Sequence, residues 1–253
     1  MTGQPKFSIV TITLNCASAA LETARSVLAQ DFQAYEYIIK DGGSTDGTLE
    51  SLKALGLNVI SSLDKGIYDA MNQALDLCCG EYVYFLNAGD TFSSTKVLSN
   101  IASRIEPATE VCYGDVLFLP INKIQAYPKQ ISRYYLFRKN ICHQALIIKR
   151  ALYLSSGKFD ISFHYVADQA LLWKTTLGKK RRTQHVPLVI ANFQLGGAST
   201  RQANENAVAS ERWKLIKQYF TTWEILMYGL LGLYFLNPLK AWIWYQLYPQ
   251  LKE

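Results

Sequence analysis

The sequence predicts an α/β protein whose core is a doubly wound, mostly parallel β-sheet. Three observations lead there. Between residues 7 and 90, β-rich apolar runs alternate with helical stretches. One of those stretches carries a clear 3.6-residue period. Asn15, Asp41 and Asp90 each fall just past a strand-like run, where such sheets bind ligands, so the three are expected to line one crevice.

Taken in order, residues 7–14 read as the first strand, and a helix is expected over about 17–30. Residues 35–40 form a second strand, closed by the turn Asp41-Gly42-Gly43-Ser44. A short helix follows from Asp46, then a strand at 58–60. The clear helix puts Ile67, Ala70, Met71, Ala74, Leu75 and Cys78 on one face and Asp69, Asn72, Gln73 and Asp76 on the other. A strand at 82–86 runs into Asn87-Ala88-Gly89-Asp90. From 111 to 193 the pattern is less regular: short antiparallel strands, one of them at 145–148, and one amphipathic helix near 166–177. A polar helix over about 202–220 leads into the apolar stretch 225–236, then Pro238 and a Trp/Tyr-rich segment.

A chain of 253 residues, 49% hydrophobic, has enough apolar material for a sizeable core and is no disordered polymer. The net charge of +6 suits phosphates or a membrane surface. No nucleic-acid motif accompanies it, so nucleic acid is not an expected partner. The five cysteines are odd in number and form no CxxC pair; neither a disulfide framework nor a zinc site is expected, and the default compartment is a reducing cytoplasm. Residues 7–14 lack the basic start and cleavage site of a signal peptide.

The turn from Asp41 to Thr48 is the most specific local signal. Its glycines let backbone approach a ligand closely, and Ser44 or Thr45 is placed to cap the next helix, whose N-terminus favours anions. No GK[ST] follows and GxGxxG is absent, so it is neither a P-loop nor a dinucleotide fingerprint. Asp90 at a strand end is placed to hold Mg²⁺ or Mn²⁺ bridging two donor phosphates, though a lone Asp there is more often a turn former. Asp168 suits an N-cap as well as a general base. His143 reads equally as a structural histidine. The run Gly178-Lys179-Lys180-Arg181-Arg182 is most simply a solvated helix end.

As a set, these motifs resemble the family 2 glycosyltransferases. The resemblance runs through Ser8 to Asn15, Asp41 to Thr48, Asp64 to Asn72, Asn87 to Asp90, His143-Gln144, Asp168 and Phe193 to Thr200, about the first 200 residues. It implies a GT-A fold over residues 1–200, with a nucleotide-sugar half (1–115) and an acceptor half (116–200), followed by membrane-associating helices over 201–253. It implies an inverting transfer from a nucleotide-diphosphate sugar to a glycan hydroxyl, with Asp168 as base and Mg²⁺ or Mn²⁺ on Asp90. Thr13, Asn15, Asp41, Gly43, Asp64, Lys65, Asp69, Asn72 and Asn87 would face the donor, and His143 and Gln144 the acceptor or diphosphate. The likeness is strongest to the branch building bacterial surface polysaccharides, which implies an acceptor on a polyprenyl diphosphate and a peripheral place on the cytoplasmic face of the inner membrane. Two departures stand out: Gly42 replaces the second Asp of the family pair, and Asn87 and Gly89 replace acidic residues of the metal motif.

The C-terminal stretch 225–236 is uncharged but too short to span a bilayer, which needs ~20 residues. Trp242, Trp244, Tyr245 and Tyr248 favour the headgroup level, and Arg212, Lys214 and Lys217 suit anionic lipid. A helical pair packed on the domain or on a homodimer partner is the plainer expectation. Two rival functions are a nucleotidyltransferase, disfavoured because Asn15-Cys16-Ala17-Ser18 has no glycine or basic residue, and a non-catalytic binding protein.

Overall fold

The structure, a computed structural model, describes residues 3–177, 181–197 and 201–235. Pro238, the Trp/Tyr segment after it, residues 178–180 of the basic run and Ala198-Ser199-Thr200 lie outside the described residues.

The N-terminal half follows the expected alternation: β1 (Phe7–Thr13), α1 (Ala17–Leu28), β2 (Tyr35–Asp41), α2 (Thr48–Ala54), β3 (Val59–Ser61), α3 (Ile67–Leu75) and β4 (Tyr82–Phe85). These four strands are parallel and ordered β3-β2-β1-β4. Both faces are covered, as parallel strands require. Ile39 packs with Ala20, Ala24 and Leu52 of α1 and α2, while its neighbour Ile38 joins the main core with Met71, Ala74 and Leu75 of α3. The chain leaves β1 toward β2 on one side and returns to β4 on the other. The carboxyl ends of β1 and β4 therefore flank the point where strand order reverses, which is where such sheets open a crevice.

The second half comprises β5 (Thr91–Phe92), α4 (Val97–Arg104), β6 (Val111–Leu119), β7 (Lys123–Gln125), α5 (Arg133–Arg138), a 3₁₀ turn at His143–Ala145, β8 (Leu146–Lys149), α6 (Arg150–Ser155), α7 (Ala167–Thr176) and β9 (Thr183–Gln194). They extend the sheet in the order β4-β8-β6-β9-β5. β8 is antiparallel to both β4 and β6, so the sheet is mixed while most of its residue pairs remain parallel. Two expectations are corrected here. β6 and β9 are long and pair parallel across a bulge rather than as short antiparallel strands. α7 is not amphipathic: Ala167, Gln169, Ala170, Leu171, Leu172, Trp173 and Thr175 are all buried, because α8 closes over the side that would face water.

The C-terminal helices are α8 (Glu205–Tyr219) and α9 (Thr222–Phe235). α8 is no loose appendage. Leu215, Ile216 and Phe220 belong to the main core, and Phe220 lies edge-on to Trp173 at 5.1 Å. Glu211 accepts hydrogen bonds from the backbone N–H groups of His164 and Tyr165, both at 2.8 Å, just ahead of α7. α9 is clamped to α5 by Arg133 Nε to Glu224 Oε1 at 2.7 Å and by Tyr228 against Phe137 and Tyr134.

Candidate active site

The turn after β2 is built around Asp41, which is fully buried. Its carboxylate accepts from Thr13 Oγ1, Ser44 Oγ, Ser61 Oγ and the backbone N–H groups of Gly43 and Ser44. Burial alone would raise its pKa; the bonds from Ser44, Ser61 and Gly43 outweigh burial and hold the carboxyl below its ordinary range. Asp41 thus shapes the turn, and its oxygens are taken. Gly43, at φ +94°, adopts the left-handed backbone the turn needs. Asn15, also left-handed at φ +48°, stitches this turn to the end of β1: its backbone N–H donates to Ser44 Oγ, and its side-chain oxygen accepts from Thr45 N–H. The expected cap on the next helix is not formed by Ser44 or Thr45. Asp46 accepts from Thr48 N–H instead, which sets a carboxylate, not an anion site, before α2.

Beneath this turn lies Lys40, 1% exposed. Its ammonium donates to the carbonyls of Asp41 and Ser62 at 2.9 and 2.6 Å and stands 3.5 Å from Asp64 Oδ2. Gly42 makes room for that carboxylate, since a Cβ there would sit 2.7 Å from Asp64 Oδ2. Asp64 also accepts from Gly66 N–H, and Asp69 accepts from Lys65 N–H and Gln73 Nε2, shaping the entry to α3. Asn72 faces elsewhere: its amide exchanges two hydrogen bonds with the backbone of Phe159, both 2.9 Å.

At the end of β4, Asn87 Nδ2 donates to His143 Nε2 at 3.0 Å, while Asn87 Oδ1 is buried without a partner. His143 Nδ1 lies 3.4 Å from Asp168 Oδ2. The other oxygen, Oδ1, accepts from the Tyr68 hydroxyl at 3.1 Å. Three expected residues, Asn87, His143 and Asp168, thus meet across segments far apart in sequence, and Tyr68 of α3 joins them. The Asp168 side chain is 11% exposed.

Asp90 differs from expectation. It is 4% exposed, with Gln144 Nε2 donating to Oδ2 at 2.9 Å and Gln194 N–H to Oδ1 at 3.0 Å. Burial pushes its carboxyl up to about 6. Each oxygen accepts one hydrogen bond, and the carboxylate lies enclosed in the core rather than exposed at the strand end. Gln144, 3% exposed, faces the core with it, not the acceptor. Among the described residues no group of three or more His, Cys, Asp or Glu side chains could cage a metal ion. The side-chain oxygen buried without a partner at this corner is Asn87 Oδ1. Arg181 of the basic run is paired with Glu110 at 2.7 Å. A cavity of about 360 Å³ between segment 157–163, α7 and α8, lined by Lys158, Asp160, Phe163, Lys174 and Tyr219, does not include this cluster.

Sequence reasoning missed Lys40 and Tyr68. Lys40 ends an apolar strand just before an acidic turn, a position where only a neutralised cation is tolerated, and that was the available signal. Tyr68 sits one residue beyond the expected apolar face of α3; it is buried while Ile67 is 39% exposed.

Comparisons with known proteins bear on the family and the fold. The profile of Glycosyl transferase family 2 matches residues 8–156. A PGL/p-HBAD biosynthesis glycosyltransferase of Mycobacterium tuberculosis (strain H37Rv) is 32% identical over 205 residues, 77% of this chain and 79% of its own. The UDP-Glc:alpha-D-GlcNAc-diphosphoundecaprenol beta-1,3-glucosyltransferase WfaP of Escherichia coli is 25% identical over 76% of this chain and 78% of its own. Among solved structures, S. aureus TarS 1–349 in complex with UDP superposes with a TM-score of 0.65 at 19% identity, covering 87% of this chain and 74% of TarS 1–349. The mannosyltransferase PcManGT of Pyrobaculum calidifontis, solved with GDP-Man and Mn²⁺, gives 0.62 at 18% identity over 79% and 59%. These likenesses place the chain in the GT-A fold.

Proposed function

The chain belongs to glycosyl transferase family 2, and on that premise we propose that it moves a sugar from a nucleotide diphosphate to a glycan hydroxyl with inversion, Asp168 acting as base. One observation carries the reading: a partly exposed carboxylate that accepts from Tyr68 of α3 and lies against His143, which is joined in turn to Asn87 at the end of β4. A sugar hydroxyl is a weak nucleophile until such a group takes its proton. The acceptor oxygen bonds the anomeric carbon from the face opposite the diphosphate. The bond to the diphosphate breaks, and its electron pair leaves on the phosphate oxygen.

The donor would lie along the ends of β1, β2 and β4. Asp64 stands beside Gly42, so the carboxylate missing from position 42 is supplied from the next loop, where it would accept from a nucleobase ring N–H. The Mn²⁺-bound neighbour suggests divalent metal use in this fold. Asn87 Oδ1, buried and without a hydrogen-bond partner, would take an ion, Mg²⁺ or Mn²⁺, that arrives with the donor diphosphate, since Mg²⁺ usually keeps few protein ligands. The ion would offset the charge of the departing diphosphate.

The acceptor is proposed to be lipid-linked, as is the alpha-D-GlcNAc-diphosphoundecaprenol named as acceptor of the relative WfaP. α9 supports docking on a lipid surface. Trp223, Leu226, Met227 and Leu230 recur at helical spacing on one exposed face, with Trp223 69% exposed. The exposed Lys214 and Lys217 lie on the adjoining α8 with Trp213, a pairing suited to anionic headgroups. Arg212 does not join them, since it is turned inward to the Phe137 carbonyl. No described helix is long and apolar enough to cross a membrane. The location that follows is the cytoplasmic face of the inner membrane.

The test is a thermal-shift and hydrolysis panel of UDP-, GDP- and TDP-sugars with Mg²⁺ or Mn²⁺. Stabilisation and turnover by at least one sugar support the enzyme. Stabilisation without turnover, and with no transfer to a diphosphoundecaprenol-linked sugar, favours the binding-protein reading that the enclosed Asp90 invites.

A further inference from the structure

We propose that Tyr68 and His143 are positioning residues that give the two oxygens of Asp168 different tasks, His143 fixing Oδ2 and Tyr68 guarding Oδ1 until an acceptor hydroxyl replaces it. The inference rests on Asp168 being the base.

The two oxygens have unlike partners. The Tyr68 hydroxyl has one proton and two acceptors, Asp168 Oδ1 at 3.1 Å and the Tyr165 carbonyl at 3.0 Å. Oδ1 also accepts from the Gln169 backbone N–H at 2.8 Å; when the Tyr68 proton turns to Tyr165, one lone pair of Oδ1 is released for another donor, and the buried phenol keeps its hydrogen bond. Oδ2 has no such freedom. Asn87 Nδ2 donates to His143 Nε2, so that nitrogen carries the lone pair and the ring proton lies on Nδ1, the nitrogen 3.4 Å from Oδ2. The ring itself is held from behind, because the next residue, Gln144, is pinned by Asp90 and its carbonyl accepts from Tyr84 at 2.7 Å. Acceptor binding therefore displaces Tyr68 and not His143. The acceptor proton passes to Oδ1, the oxygen nearest the donor-side helix α3.

Other groups around this carboxylate stay neutral. Burial pushes the Cys142 thiol up to about 12 and raises Tyr153 further, and both feel the Asp168 charge. Burial, then Asp168, raises Tyr68 well above its ordinary value, so it remains a donor. Glu211 also faces Tyr68, and its carboxylate is occupied by the backbone N–H groups ahead of α7.

Two measurements on the full chain test this. Long-range ¹⁵N–¹H spectra resolve the side chains of the three histidines, and His143 is expected as the Nδ1–H tautomer at neutral pH. Tyr68→Phe keeps the ring against Phe159, 5.6 Å away, and removes only the hydroxyl. With UDP-glucose hydrolysis as the assay, kcat is expected to fall about tenfold with KM within about twofold. An Nε2–H tautomer overturns the proposal, even if UDP-glucose is not turned over. So does a Tyr68→Phe variant whose kcat is unchanged, or whose loss appears in KM and not in kcat. Asp168→Asn judges the underlying reading separately: full turnover there removes the base, whereas lost turnover there with wild-type kcat in Tyr68→Phe removes this inference alone.

Discussion

Gln144 donates its side-chain amide to Asp90 across 2.9 Å inside the core, so the residue next to the candidate site histidine is tied to the carboxylate expected to hold metal. That contact has a pH signature. The Asp90 carboxyl sits at about 6 in the fold, chiefly through burial, against about 3.9 in an unfolded chain. The native state then holds the proton more tightly. The stability this adds is present below about pH 4 and is lost as pH rises through about 6, an amount on the order of 3 kcal/mol. Asp90→Asn should flatten that slope. Urea unfolding of both proteins at several pH values between 4 and 7 measures it, and parallel curves would refute the assignment.

Asp168→Asn should fold normally, since Asn still offers an oxygen to Tyr68. Donor affinity by thermal shift should change little, while transfer falls by about 10²-fold or more. Near-normal turnover would remove Asp168 from the chemistry.

Gly42→Ala places a methyl against Asp64 Oδ2, which must move off Lys40. The expected cost is about 1–3 kcal/mol in stability. Donor KM should rise more than kcat falls, because the disturbed carboxylate faces the donor and not the base. Steady-state kinetics alongside thermal melts separate the two effects, and an unchanged donor KM counts against Asp64.

Excess EDTA should slow donor turnover, and Asn87→Ala should weaken donor binding most when Mg²⁺ or Mn²⁺ is present. Full activity in EDTA would mean that the diphosphate is bound without an ion.

The triple substitution Trp223→Ser, Leu226→Ser, Leu230→Ser should abolish cosedimentation with anionic liposomes. Its melting temperature should barely move, since these side chains are exposed. Truncation after Phe220 should behave likewise and should reduce transfer to lipid-linked acceptor more than to a soluble analogue. Retained sedimentation of either form would refute docking through α9. Association of the wild type with itself and not with liposomes would assign the face to a homodimer.

The first four strands and three helices were legible because each is local: period, turn residues and length decide them. The strand ends Asn15, Asp41 and Asp90 followed from the same pattern. What was illegible depends on partners distant in sequence. Nothing near Asp90 announces that Gln144 and Gln194 enclose it, and nothing near Val111 announces a parallel partner at Thr183. α7 looked amphipathic because its covering helix begins more than twenty-five residues later. Asp41 was read as a ligand contact because its type and place allow it; only the five donors around it reveal a scaffold.

The two backbone bonds accepted by Glu211 limit how far the C-terminal helices are exchangeable between relatives. α8 caps the loop that delivers Asp168, and Phe220 buttresses Trp173 of the same helix. A chimera joined after β9 would import a foreign acid, or none, at that loop, and would be judged defective in catalysis when only its seam was wrong. Grafts meant to redirect targeting should be cut after Phe220, so that the recipient keeps its own Glu211.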